Sequence, residues 1–207
     1  MMAAPDHKQK SRKSFDRQAR DYDEAPYGRH ARRLHGDVMA AVETFAFADV
    51  LDVGCGTGAT LEAILQAHPR TRAWGVDLSE AMLGVARERL GGLALLETAD
   101  AERLPFRDGC MDLVTCVDSL HHYPEPAKAL AEMHRVTRPG GGLVFGEWSV
   151  AAPARRLMNL LLPRLPGGDV RVYTPAELLA LAEAAGYGEL RCGAAGVRGQ
   201  LLVARRM

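Results

Sequence analysis

Three glycines at alternate positions, Gly54, Gly56 and Gly58, follow the apolar run Val50-Leu51-Asp52-Val53, and acids recur downstream at Asp77 and Asp100. A chain leaving a buried strand through such a turn presents bare backbone amides at the start of a helix, where polar ligand groups are held. Glycine lets the backbone turn sharply and lets a ligand approach it. Asp52 stands two residues before the first glycine, inside the strand. A carboxylate there is ill placed for phosphates but suits a ligand that carries an ammonium group. Asp77 ends the next apolar run, Ala73-Trp74-Gly75-Val76, at a spacing that suits ribose hydroxyls. Asp100-Ala101-Glu102 runs into Leu104-Pro105-Phe106, a polar edge beside an apolar one, which suits a nucleobase. His121 and His122 follow another apolar run, and imidazoles titrate where proton transfer is useful.

The glycines alone leave two ligands open. Gly54-x-Gly56-x-x-Ala59 with Asp77 also satisfies the dinucleotide fingerprint in its Gly/Ala form. Against a dinucleotide stand Asp52, Asp100 and the shape of the chain's last segment, described below. For both histidines, packing against a ligand or bonding a loop carbonyl is preferred to a role as base, because group transfer at an aligned centre depends first on positioning.

These residues need a scaffold that brings strand ends together. Short apolar runs at 50–53, 73–76, 93–98, 113–117 and 143–147 alternate with helical patterns at 61–67, 80–90 and 127–136. That alternation predicts parallel β-α-β units in a doubly wound sheet. Ser79 is placed to cap the helix that follows Asp77. Arg138-Pro139-Gly140-Gly141-Gly142 predicts a tight turn into the fifth strand. The tail departs from the alternation: strands near 189–195 and 200–204 are joined only by Gly196-Val197-Arg198-Gly199. So short a connection requires a hairpin, since a parallel crossover needs about a dozen residues.

Upstream, residues 1–13 offer little to bury and are expected to be disordered. Phe15, Ala19 and Tyr22 share helical spacing, and Leu34, Val38, Ala41, Val42 and Phe45 resume it after a break at Pro26-Tyr27-Gly28. The expected organisation is a single domain: a helical lid over 14–47, a ligand-binding core over 48–149, a substrate-side insert over 150–173, and a final helix and hairpin over 174–207. In the insert, Arg155, Arg156, Arg164 and Arg171 join Arg29, Arg32 and Arg33 as a candidate rim for an acidic substrate. The run Leu157–Leu162 is read as core in preference to a membrane-touching surface. Glu147 and Trp148, at the end of the fifth strand, are candidates to face substrate.

The chain's 207 residues carry 26 basic and 26 acidic side chains. A neutral protein lacks the basic footprint that bulk electrostatic binding of nucleic acid requires. The charge is nonetheless uneven: net +4 over residues 1–35, −8 over 36–150 and +4 over 151–207. Four scattered cysteines without a Cys-x-x-Cys pair imply reduced thiols and no metal site. No run approaches the ~18 apolar residues of a membrane span. The expectation is a cytoplasmic protein that neither inserts stably in a membrane nor binds nucleic acid.

Taken together, Val-Leu-Asp-Val-Gly-Cys-Gly-Thr-Gly at 50–58, Gly-Val-Asp-Leu-Ser at 75–79, Asp-Ala-Glu-x-Leu-Pro-Phe at 100–106, Leu-His-His at 120–122 and Arg-Pro-Gly-Gly at 138–141 resemble the class I S-adenosylmethionine-dependent methyltransferases. The branch resembled is that of the ubiquinone/menaquinone-biosynthesis C-methyltransferases, and the resemblance begins at Phe15-Asp16-Arg17-Gln18-Ala19-Arg20-Asp21-Tyr22-Asp23. It implies a Rossmann-like α/β fold whose seven-stranded mixed sheet has the order 3-2-1-4-5-7-6. It also implies S-adenosylmethionine as cofactor and methyl transfer to an oxygen, nitrogen or carbon of a small-molecule acceptor. Gly54, Cys55, Gly56 and Gly58 would shape the loop around the methionine portion, supported by Asp52 through loop amides or a water. Asp77 would accept the ribose hydroxyls and Leu78 would pack on the adenine. Asp100 and the Ala101 amide would receive the adenine edge, Val117 and the side chain of His121 would line the methionine end, and Tyr22 would fold over the cofactor. A nicotinamide-dependent oxidoreductase and a non-catalytic S-adenosylmethionine-binding protein are the alternatives.

Overall fold

The computed structural model describes residues 7–207, with the side chains of residues 26, 27, 29 and 30 outside the described set. Two helices, α1 (His7–Gln18) and α2 (Pro26–Val42), precede an alternating core. The core runs β1 (Asp49–Val53), α3 (Ala59–Ala67), β2 (Arg72–Asp77), α4 (Glu80–Leu90), β3 (Ala94–Thr98), β4 (Met111–Val117), α5 (Pro126–Val136) and β5 (Thr137–Trp148). It is followed by α6 (Ala154–Leu161), α7 (Pro175–Ala184), β6 (Tyr187–Ala195) and β7 (Gly199–Arg206).

The seven strands form one sheet in the order β3-β2-β1-β4-β5-β7-β6. The first five are parallel, whereas β7 runs antiparallel to both β5 and β6. The strand order inferred from resemblance is the order found. β1 is buried at all five positions, as expected of a strand covered on both faces. Its residues alternate between two cores. Val50 packs with Leu34, Val38, Leu61, Ile64 and Leu83 from α2, α3 and α4. Leu51 and Val53 pack with Leu130, Met133 and Leu178 from α5 and α7. Far from the strand ends that carry the site, Asp49 at the start of β1 accepts hydrogen bonds from Arg72 (2.7 Å) and Arg138 (2.8 Å). These side-chain bonds tie the starts of β1, β2 and β5 together.

Three local expectations are corrected. The segment expected to be disordered to residue 13 is helical from His7. This helix has little apolar surface, and what orders it is tertiary: Lys8 reaches Asp100 at 2.6 Å, and Ser11 and Ser14 are buried. Second, the chain breaks between Gln18 and Pro26 instead of at Pro26-Tyr27-Gly28. Proline opens α2 because the first helical turn needs no N–H from it. Third, Arg138-Pro139-Gly140-Gly141-Gly142 does not separate a turn from a strand; it lies within β5, and the irregularity appears as a shift of register between Met111 and Leu113 on β4.

Candidate functional site

β1, β2 and β4 end side by side, and the residues singled out from sequence gather there. Gly54, Gly56 and Gly58 all have φ between 53° and 80°, the left-handed region natural to glycine. A Cβ on Gly54 would stand 2.0 Å from Ser119 Oγ, so this glycine is demanded by close approach as well as by φ. A Cβ on Gly56 would meet nothing nearer than Met82 Cε at 4.0 Å. The loop is therefore braced on the Ser119 side and open on the other.

Two adjoining cavities, of about 520 and 610 Å³ to their open mouths, follow that open side. They share Phe15, Gly54, Asp77, Ser119 and His122. Leu78, Asp100 and Ala101 line the first; Tyr22, Asp52, Cys55, Gly56 and Val117 line the second. One continuous trough thus runs from the Asp100 edge, past Asp77, to the glycine loop and the end of β4. That is the shape of an elongated ligand with a base at one end and an amino acid at the other, and the residues present fit S-adenosylmethionine.

The acids divide their work differently from expectation. Asp77, not Asp52, anchors the glycine loop: its two oxygens accept from the Gly56 N–H (2.9 Å) and the Ser79 N–H (2.8 Å). Asp52 accepts instead from Thr115 Oγ1 at 2.7 Å across β4. It is almost wholly buried, and burial, partly offset by the Thr115 hydroxyl and reinforced by the nearby Asp77, pushes its carboxyl up to about 7. Such an acid is poised to ionise when a cationic ligand enters. Asp100 is held by Lys8 and by the Glu102 N–H (3.0 Å), and Lys8 also bonds Glu102 at 2.5 Å.

The histidines are the main correction. His122 lines both cavities, whereas His121, the one expected there, lines neither. Both lie on the 3-10 turn Leu120–His122 after β4. His121 turns away, with Nδ1 2.8 Å from Glu147 Oε2 and its ring 5.7 Å from that of Trp148. Glu147 is buried, and its other oxygen accepts the Ser119 and Leu120 N–H groups at 3.0 and 2.7 Å. Burial alone would lower the His121 pKa, but the charge and hydrogen bond of Glu147 carry it up to about 9. Burial and then the adjacent His121 charge push His122 well below the ordinary value. One imidazole is held cationic and its neighbour neutral, 4.1 Å apart between ring centroids. His122 Nδ1 makes no hydrogen bond, and Asp169 Oδ1 lies 3.9 Å from it. His121, His122 and Asp169 bring their ligand atoms within 4.8 Å of one another.

The N-terminal segment braces the glycine loop and α4 through partners that its spacing did not reveal. Asp16 on α1 accepts from Ser79 Oγ at 2.6 Å while Ser79 caps α4 through the Met82 N–H. Asp23 accepts from Thr57 Oγ1 in the glycine loop at 3.0 Å and pairs with Arg89 of α4. Arg89 also donates to Thr57 O and Oγ1 at 3.1 and 3.0 Å. The motif Phe15–Asp23 held this information, but a long-range partner cannot be read from spacing. Of the arginines proposed as a rim, Arg32 lines the second cavity. Arg171 is paired with Glu177 and Arg164 donates to Leu160 O, while the Arg29 side chain lies outside the described residues.

Comparison with known proteins agrees with this arrangement. A family model described as a methyltransferase domain matches residues 51–145. A demethylmenaquinone methyltransferase of Deinococcus radiodurans is 35% identical over 160 residues, covering 70% of this chain and 66% of that protein. A ubiquinone/menaquinone biosynthesis C-methyltransferase of Cupriavidus metallidurans is 42% identical over 104 residues, covering 48% of this chain and 43% of its own. The chain spans less than half the length of the curated relatives it matches first. Among solved structures, an S-adenosylmethionine-dependent methyltransferase of Thermotoga maritima superposes with a TM-score of 0.74 at 20% identity, covering 94% of this chain and 99% of that one. At that identity the likeness speaks for the fold alone. By sheet order, cavity and motif, the chain belongs to the class I S-adenosylmethionine-dependent methyltransferases.

Proposed function

We propose that the chain methylates a ring carbon of a small hydroxylated aromatic acceptor of the quinol type, with His122 as the base and the α1–α2 segment as the cofactor's lid. The observation that carries this reading is the histidine pair: His122 lines the cavity, and the buried His121 packed against it is held to Glu147. The names of the relatives from Deinococcus and Cupriavidus supply the acceptor class.

S-adenosylmethionine, when bound, supplies an electrophilic methyl group on a sulfonium. Asp77 and the Asp100 edge would hold its nucleoside, and the glycine loop with Tyr22 its amino-acid end. An ionised Asp52 beneath the loop favours that end's positive charge. His122 takes the proton of an acceptor hydroxyl, which enriches the neighbouring ring carbon in electrons. Phe15, which packs on His122 with ring centroids 4.8 Å apart, and Tyr22 exclude water from that step. Two histidines in contact with opposite pKa displacements are what divides acid and base roles between chemically identical groups.

The test is incubation with methyl-labelled cofactor and a reduced quinol lacking a ring methyl group, beside hydroxyl and amine acceptors. Label on the ring carbon is expected. His122→Ala should lower kcat by about a hundredfold at little change in cofactor affinity, and His121→Ala should shift the alkaline limb of the pH profile. Label on oxygen or nitrogen alone would discard the quinol acceptor. Unchanged kcat in His122→Ala would discard the base.

A further inference from the structure

The insert between β5 and α7 carries a helix mounted the wrong way round for a soluble protein. A surface helix normally turns its apolar stripe to the core, yet no residue of α6 is buried. Leu157, Leu160 and Leu161 occupy one face and are 59%, 59% and 47% exposed; Leu165, just beyond, is 48% exposed. The half-buried side carries Met158 and Asn159, and Asn159 ties the helix to the chain: it donates to Val172 O at 3.0 Å and accepts the Val172 N–H at 2.8 Å. Those two bonds, with buried Leu162 behind the helix end, hold the leucines outward.

Basic side chains border this face. Arg156 in the first turn and Arg164 beyond the helix lie at its margins, and the adjoining groove is lined by Trp148, Met158 and Val197 between Arg33 and Arg198. Val197, at the tip of the β6–β7 turn, is 63% exposed. Exposed leucines ringed by arginines complement one surface in both respects, an apolar layer beneath anionic headgroups. The same insert leads to the site: the Val170 N–H donates to His121 O at 2.6 Å, and Trp148 touches the His121 ring.

We propose that α6 is an interfacial helix that docks the chain on an anionic lipid bilayer, with the leucine face in the headgroup–acyl boundary and the arginines on lipid phosphates. No helix among the described residues is long and apolar enough to cross a membrane, so the contact is peripheral. Docking there sets the β4–β5 end of the trough against the lipid, where an acceptor with an apolar tail would be met. The proposal rests on the mounting of α6 and stands whether or not the acceptor is a quinol.

The test is flotation of the full chain with vesicles of phosphatidylcholine alone or with a third phosphatidylglycerol, together with its oligomeric state in solution. Binding to the anionic vesicles and weak binding to the neutral ones are expected. Because the leucines are exposed, Leu157→Ser with Leu160→Ser should fold normally and bind at least about tenfold more weakly. Arg156→Glu with Arg164→Glu should lose most of the salt-sensitive part of the affinity. Absence of binding to anionic vesicles, or binding indifferent to the leucine changes, overturns the proposal. So does a dimer that the leucine changes dissociate without any vesicle binding, which would make α6 an interface between two copies.

Discussion

Replacing Glu147 by Gln tests the charge arrangement at the heart of the site. Glutamine keeps an oxygen for the Ser119 and Leu120 N–H groups, at present 3.0 and 2.7 Å from Glu147 Oε1, so the backbone around the 3-10 turn is preserved. What it removes is the negative charge 2.8 Å from His121 Nδ1. With that charge His121 titrates up at about 9; without it, burial is opposed only by the more weakly acting Asp118 and Asp169, and the pKa falls back toward its ordinary range. A folded-state pKa above the unfolded one means stability that is fully present below pH 6.5 and lost as pH rises through about 9. A rise from 6.5 to about 9 is worth about 3 kcal/mol. The assays are the titration of the two ring signals by NMR and urea unfolding at pH steps between 6 and 10. The native protein should lose about 3 kcal/mol across that range from this group, and Glu147→Gln should lose almost none of it. His122, freed of the cation beside it, should titrate closer to 6.5 in the variant. A native His121 that titrates near 6.5, or equal pH slopes in the two proteins, refutes the reasoning.

Asp52→Asn should separate binding from stability. The raised carboxyl loses its stabilising neutral form between pH 4 and about 7, so the variant should be at least as stable as the native chain above pH 7, measured by urea unfolding. Calorimetry should at the same time show cofactor affinity reduced about tenfold or more, since the ammonium- and sulfonium-bearing ligand loses its buried anion. Gly54→Ala forces a side chain into a φ of 73° and onto Ser119, and should cost at least about 2 kcal/mol in urea unfolding as well as cofactor binding. Arg89→Leu cuts the links from α4 to Asp23 and Thr57; it should weaken cofactor binding about tenfold while lowering stability by no more than about 1.5 kcal/mol, because the Arg89–Asp23 pair is partly exposed. Equal loss of stability and affinity in that variant would make the network merely structural.

The strands were legible because their causes are local, whereas their order in the sheet came from the resemblance alone. β1 reads as a continuous apolar run since both its faces are covered, Ser79 is a cap within reach of its own helix, and the short 196–199 link permits nothing but a hairpin. The glycine loop was legible for the same reason: three residues at positive φ in a row of nine leave a compositional trace. The ends of α1 were not, because the sequence of that helix has no apolar face of its own and is ordered by Lys8 and Asp16 bonding groups 92 and 63 residues away.

The residue types at the site, and the strand ends they would occupy, were therefore determined by sequence alone. Which way each side chain turns was decided only by tertiary packing. His121 and His122 are adjacent and identical in chemistry, and nothing in their order says which one meets the cavity. Glu147, brought beside them by the pairing of β4 with β5, takes His121 out of the trough and leaves His122 in it. The same holds for the leucines of α6: their helical spacing is written in the sequence, but the two Asn159–Val172 bonds turn them to the outside. Spacing fixes which residues share a face; contacts between distant segments fix what that face meets.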